Sequence, residues 1–145
     1  MRRIGWIWLT VVITCGLGVE ALAVDTNIDV RVLSKGAKFI GTGVAGAEIT
    51  IRDAETNELL ARGKAVGNSG DDRRIMVESW PRHAPLSTPT SAVFRATLDI
   101  DEPRQVVVAA RGPLSQPQSI AVATVNQWMV HGKHVTGGDG LTLEL

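Results

Sequence analysis

The sequence predicts an all-β protein, an antiparallel β-sandwich of seven or eight strands that is preceded by an N-terminal signal-peptide helix. Three observations predict this fold. Several segments alternate apolar and polar residues with a period of two, which is typical of strands with one buried face. Short turns rich in Gly, Pro, Asp and Asn separate these segments. No segment after the signal peptide has a convincing amphipathic helical pattern, which favours a sandwich over an α/β sheet.

The N-terminal segment has the pattern of a secretory signal peptide. Arg2 and Arg3 supply positive charge, a mostly apolar run follows, and Ala21-Leu22-Ala23 places small residues at a cleavage site. The apolar run is too short for a permanent transmembrane helix, which needs about 20 apolar residues. We therefore expect a signal peptide at 1–23 and a single domain at 24–145, in a protein that is periplasmic or secreted.

Cys15 lies inside this leader, where a bacterial protein can carry a lipid. The residues before it, Val12-Ile13-Thr14, do not resemble a lipid-attachment site, in which Gly or Ala directly precedes the cysteine. We interpret Cys15 as an apolar filler of the leader and keep lipidation as the alternative. Because the chain has no other cysteine, we expect no disulfide and no thiolate in the mature protein.

The first three strands are predicted in the N-terminal half of the mature chain. The first strand alternates across residues 28–32, and residues 38–46, which hold three glycines, form a short edge piece or bulged loop. Residues 47–53 alternate as the second strand. A polar turn at 54–57 then leads into the third strand at 59–66, which favours an antiparallel hairpin.

Residues 67–90, which we call the excursion, interrupt the alternation. This segment begins with Gly, Asn and Asp residues, contains an apolar patch at 75–77 that suggests one short strand, and holds three prolines. Long irregular connections are uncommon in compact domains and often carry function. The excursion is therefore the first candidate for a partner surface, and a variable loop is the alternative.

Four further strands are predicted in the C-terminal half. They cover residues 94–100, 104–111 and 119–128, and a last strand at 141–145 that lies inside the sheet. We expect truncation of this last strand to damage the fold. In the strand at 119–128, Ile120 and Val122 alternate with Ala121 and Ala123.

One segment carries a family resemblance. Gly46-Ala47-Glu48-Ile49-Thr50-Ile51-Arg52-Asp53, followed by a turn and by residues 59–63, resembles the repeated feature of transthyretin-like or carboxypeptidase regulatory-like sandwich domains. The resemblance implies a transthyretin- or immunoglobulin-like sandwich that serves as an accessory or adhesion module, with no catalytic residue in this segment. The sequence departs from the pattern after Gly63, where the excursion replaces a compact glycine-aspartate turn and an aromatic strand.

Composition argues against several classes of function. The chain has 15 basic and 15 acidic residues, and they are interspersed, whereas nucleic-acid binders concentrate Lys and Arg into a stripe. The mature chain has few aromatic residues for stacking on bases or sugars. It also lacks the G-x-S-x-G, H-E-x-x-H and phosphate-binding glycine motifs. We predict a protein without nucleic-acid partner, cofactor or catalysis, with a hydrolase of dispersed active site as an alternative.

His131 and His134 form the candidate metal site. Two imidazoles three residues apart on a turn can converge on copper or zinc, with Met129, Asp139 or His83 completing the coordination. Histidines exposed to solvent on a loop are the alternative.

These observations together predict an exported, periplasmic and non-catalytic β-sandwich that binds or assembles with another envelope or extracellular protein. We expect the contact surface to combine the excursion, through Arg73, Arg74 and Trp80, with an exposed sheet edge. Trp80 has an alternative role as a cap on the core. The alternative function is a periplasmic copper- or zinc-binding protein that uses His131 and His134, and the oligomeric state stays open.

Overall fold

The computed structural model describes residues 24–145, which form two β-sheets packed against a shared core. The predicted signal peptide at 1–23, with Cys15, lies outside the described residues. The elements in chain order are β1 (Val24–Leu33), β2 (Glu48–Asp53), β3 (Leu59–Lys64), α1 (Asp72–Met76), β4 (Phe94–Ile100), β5 (Arg104–Gly112), β6 (Ala121–Met129) and β7 (Leu141–Glu144), with 3-10 turns at Thr42–Val44 and Pro117–Ser119.

The seven strands are divided between two sheets, with three in the order β4-β1-β7 and four in the order β3-β2-β5-β6. Neighbouring strands are antiparallel except for β1 and β7, which run parallel. The predicted all-β fold is confirmed, but the expectation of a fully antiparallel sandwich is wrong at β7. Alternation predicts a strand without specifying its neighbour or its direction, because both kinds of pairing place side chains with a period of two.

The core between the two sheets is built from inward-facing side chains of alternating positions. Burying one such side chain contributes about 1.5–3 kcal/mol to the free energy of unfolding. The alternation predicted for β1 and β2 is confirmed, since every second residue is buried from Thr26 to Val32 and from Ile49 to Asp53. The largest fully buried apolar side chains are those of Ile28, Val30, Val32, Ile49, Ile51, Ile100, Val106, Val108 and Met129.

The turn between β2 and β3 is organised by Asp53. Its Oδ1 accepts hydrogen bonds from the backbone N–H groups of Glu55 at 2.8 Å and Thr56 at 2.9 Å. The N–H bonds of Thr56 and then Glu55 stabilise the carboxylate and hold the pKa of Asp53 below its ordinary value. Asn57 completes the turn with a φ of 61°, a conformation that Asn tolerates well. The predicted hairpin is confirmed.

The segment 38–46 is mostly irregular, as predicted for a short edge piece. It makes one isolated bridge, between Phe39 and Leu33, before the 3-10 turn. Gly46 closes the segment with a φ of +71°, and a Cβ there would lie 2.5 Å from the carbonyl oxygen of Ala65. Only glycine allows the backbone at position 46 to lie this close to Ala65, the residue that follows β3.

The strand predicted at 119–128 is observed as β6, and its buried end is Met129. Met129 at its end is fully buried, so the period of two turns Ala123 and Val125 toward the core. Val122 and Trp128 consequently face solvent, with 62% and 59% of their surface exposed. The alternation of Ile120 and Val122 with Ala121 and Ala123 does not specify which face is buried, because all four side chains are apolar.

The excursion contains a helix where a strand was suggested. Asp71 caps the N-terminus of α1, since its Oδ1 accepts a hydrogen bond from the N–H of Arg74 at 2.9 Å. The apolar patch at 75–77 is therefore the end of a short helix, and most of it is exposed. Across residues 24–145, no helix is long and apolar enough to cross a membrane.

Candidate interaction surface

The segment just after the excursion is attached to β1 through Arg31. Its Nη1 donates hydrogen bonds to the carbonyl oxygens of Ser91 and Ala92, each at 3.0 Å. The guanidinium carbon lies 6.0 Å from the ring centroid of Phe39. Only 6% of the Arg31 surface is exposed, and this burial lowers its pKa. A buried charge is tolerated only with such partners, so Arg31 has a structural role.

Asp139, in the turn before β7, binds the excursion itself. Its two carboxylate oxygens accept hydrogen bonds from the N–H groups of Leu86 at 2.7 Å and Ser87 at 2.8 Å. Burial alone would raise the pKa of Asp139, but bonds from the Ser87 hydroxyl and from these backbone groups outweigh burial, so the pKa is lowered. A role for Asp139 as a third metal ligand would require these bonds to be replaced.

The predicted binding residues of the excursion are only partly brought together. The guanidinium carbon of Arg74 lies 5.0 Å from the ring centroid of half-buried Trp80, and Nη2 of Arg74 donates to the carbonyl oxygen of Pro85 at 2.8 Å. Arg74 and Trp80 thus hold the conformation of the excursion itself, while Arg73 is exposed. Partner binding by these three residues stays a prediction.

The two predicted metal ligands lie in the loop that follows β6. Nδ1 of His134 accepts a hydrogen bond from the N–H of Asn27 at 3.0 Å, and Nδ1 of His131 lies 3.4 Å from the carbonyl oxygen of Asp101. A neutral imidazole has one nitrogen lone pair, so Nε2 of His134 carries the proton. Metal binding by His134 requires loss of the bond to Asn27. Among residues 24–145, no three His, Cys, Asp or Glu side chains are grouped to hold a metal.

The most distinctive surface is the open edge of β6. The nine residues Ala121–Met129 pair with β5 along their whole length without a register shift. On the other side, β6 has no neighbouring strand among the residues that the structure describes. Natural edge strands are commonly protected by charged residues, proline or bulges. β6 has none of these, so its edge is a template for pairing with another strand.

The three other edge strands of the described chain carry the usual protection. β3 presents Arg62 and Lys64, and its pairing with β2 has a register shift. β4 contains Arg95 and Asp99, both exposed. β7 is only four residues long. Strand pairing with a partner is therefore most favourable at β6.

A polar hollow of about 560 Å³ opens beside the end of β6. Gln105 in β5 is paired with Trp128, which places the exposed indole at the margin of this hollow. Carboxylates and an indole face are suited to a cationic side chain. The lining includes Trp128, Arg104, Glu55, Glu58 and Glu102.

The charges at the two ends of the four-stranded sheet are of opposite sign. At the hollow, Arg104 is balanced by Asp53 at 3.5 Å and Asp101 at 3.4 Å, which leaves the remaining glutamates as excess negative charge. At the other end, exposed Arg111 makes no salt bridge to a described residue. Glu48, opposite Arg111 in β2, binds Arg62 instead.

Neither β6 nor Trp128 is among the residues that the sequence predicts for the contact surface. A signal was present, since residues 120–130 contain no charged residue, no Pro and no Gly. An uncharged strand is common in the middle of a sheet and unusual only at an edge. The sheet order decides between these cases, and the local pattern does not encode it.

No protein-family model, curated protein or solved structure matches this chain. The resemblance of Gly46–Gly63 to transthyretin-like or carboxypeptidase regulatory-like domains stays a prediction.

Proposed function

We propose that this protein is an exported, non-catalytic β-sandwich module that binds or assembles with another envelope protein by strand pairing along β6. The observation that carries the proposal is the uncharged and unprotected edge of this nine-residue strand. A strand added to such an edge gains main-chain hydrogen bonds, and the side chains beside it provide specificity. The predicted leader at 1–23 supports export and so limits the partner to the periplasm or the exterior.

The side chains of β6 support a protein partner. Val122 and Trp128 are exposed near its two ends, and Thr124 and Asn126 are exposed between them. Tryptophan is enriched among the residues that dominate binding energy at protein interfaces. The outer side of β6 thus offers two apolar contacts separated by two hydrogen-bonding residues.

Photo-crosslinking in the native cells tests this proposal. A photoreactive amino acid at Thr124 should give a covalent product with a partner, because its side chain lies on the exposed face beside the open edge. The matched control is Thr97, which is exposed in the middle of β4, another edge strand. Crosslinked products from the Thr124 position and none from the Thr97 position support the proposal. Absence of any product from Thr124, or the same products from both positions, contradicts it.

The excursion is tested separately with a point variant. Deleting residues 79–90 would remove the N–H groups that bind Asp139 and would disturb the fold. Arg73→Glu changes an exposed charge instead. If the excursion contributes to the contact surface, this variant reduces crosslinking from Thr124; an unchanged yield restricts the surface to β6.

A further inference from the structure

We propose that the strand that pairs with β6 is β6 of a second copy of this chain. The two copies form an antiparallel dimer whose two-fold axis passes through Val125. The two four-stranded sheets then form one continuous sheet of eight strands. The inference rests on the proposed function, since it uses the same edge, and it specifies that the exported protein paired with β6 is an identical copy of this chain.

Two-fold symmetry restricts the register of such a dimer. Directly opposed residues of an antiparallel pair lie on the same face, so the exposed residues of one copy must meet exposed residues of the other. The register centred on Val125 pairs all nine residues of Ala121–Met129 with the second copy. Any other symmetric register leaves residues at one end of each copy's β6 without a partner in the β6 of the other copy.

This register is self-complementary in chemistry. Val122 lies opposite Trp128 of the second copy, and symmetry repeats this contact at the other end. Aromatic and β-branched residues are a favourable cross-strand combination. Thr124 lies opposite Asn126 of the second copy, so hydroxyl and amide groups face each other. No like charges are opposed because β6 has no charged side chain.

The charges beside β6 favour the same antiparallel arrangement. Exposed Arg111 is paired with Val122 at one end, and the acidic hollow adjoins Trp128 at the other. Antiparallel pairing brings the basic end of each copy to the acidic end of the other. Arg111 then lies across Val122 from the indole of the second copy, near the negative charge of the hollow. A parallel arrangement would bring like charges together.

Disulfide trapping at the centre tests the register. In a Cys15→Ser background the chain has no other thiol, so each variant carries one cysteine. Val125→Cys should form a covalent dimer under mild oxidation, because opposed residues have Cβ atoms about 4.5–5.5 Å apart, near the distance that a disulfide bridges. The matched control, Ala123→Cys, lies on the same face but about 14 Å along the strand from its symmetry mate, and should not crosslink.

A mixing experiment tests the off-centre contacts without disturbing the core-facing side of β6. Thr124→Cys and Asn126→Cys change two exposed residues. A mixture of the two chains should give a disulfide-linked product that neither chain gives efficiently alone. Equal crosslinking of each chain with itself would overturn the register.

Sedimentation of the purified chain distinguishes failure of this inference from failure of the proposed function. The inference expects twice the mass of one chain, and Arg111→Glu should shift the mass toward that of the monomer. A monomer at every concentration, with no trapping at Val125, overturns the dimer. If Thr124 then still captures a different protein, the proposed function stands; if it captures nothing, both fail.

Discussion

Arg31 shows why a polar position in an alternating strand need not face solvent. It occupies an outward position of β1 between buried Val30 and Val32, which the pattern alone assigns to the surface. Ser91 and Ala92, just after the excursion, supply carbonyl oxygens to the guanidinium. The local sequence of β1 contains no information about a segment 60 residues further along the chain, so this burial was not predictable.

Replacement of Arg31 tests its structural role. Arg31→Ala removes the donor for two carbonyl oxygens, and a buried unsatisfied group costs about 1–3 kcal/mol. We expect a loss of about 2–4 kcal/mol in the free energy of unfolding, measured by urea denaturation. Arg111→Ala is the control at an exposed arginine, with an expected change within about 0.5 kcal/mol in the monomer. Equal effects of the two substitutions would contradict the structural role.

The carboxylate of Asp139 makes a pH-dependent contribution to stability. Its pKa is lower in the folded chain than in the unfolded chain, so its contribution is present above the unfolded pKa and is lost as the pH falls through the folded pKa. In Asp139→Asn, the free energy of unfolding should therefore decrease less steeply than in the unsubstituted protein as the pH is lowered below about 5. Urea denaturation at a series of pH values measures this, and an unchanged pH dependence would contradict the assignment.

Metal binding by the loop histidines can be tested at His134. Because Nδ1 of His134 is engaged by the N–H of Asn27, we expect copper and zinc to leave the melting temperature of the purified chain unchanged. A ligand that binds only the native state must raise this temperature. A rise that disappears in His134→Ala would favour the alternative of a metal-binding protein.

At the scale of elements, strands with one clearly buried face were the most predictable. The predicted bounds of β4, 94–100, coincide with those observed. The five residues of α1 are too few to reveal a helical period, although Asp71 provides a recognisable capping residue. The buried face of β6 and the parallel direction of β7 depend on contacts between elements, and the local sequence does not encode them.

We expect β7 to be essential for the stability of the fold, although it has only four residues. Leu143 is 4% exposed and belongs to the core cluster. Leu143→Ala should lower the free energy of unfolding by about 2–5 kcal/mol, measured by urea denaturation, because it leaves a cavity. The control is Val77→Ala, at a residue that is 74% exposed, with an expected effect within about 0.5 kcal/mol. A negligible loss at Leu143 would show that β7 is dispensable.

At the scale of the whole molecule, one edge of the sandwich differs from the others. Protection is present at β3, β4 and β7 and missing at β6. The sequence predicted an exposed sheet edge as part of the contact surface without identifying the strand. The identity of the edge follows from the order β3-β2-β5-β6, which is a property of the assembled fold.

Backbone hydrogen exchange along β6 reports directly whether the outer edge of this strand is open. In an antiparallel edge strand, alternate N–H groups point toward the neighbouring strand and away from it. We expect the inward N–H groups of Ala121–Met129 to stay protected at all protein concentrations. The outward groups should exchange rapidly in dilute solution and become protected as the concentration rises or a partner is added. Equal protection of all these groups, unaffected by dilution or partner, would contradict an open edge.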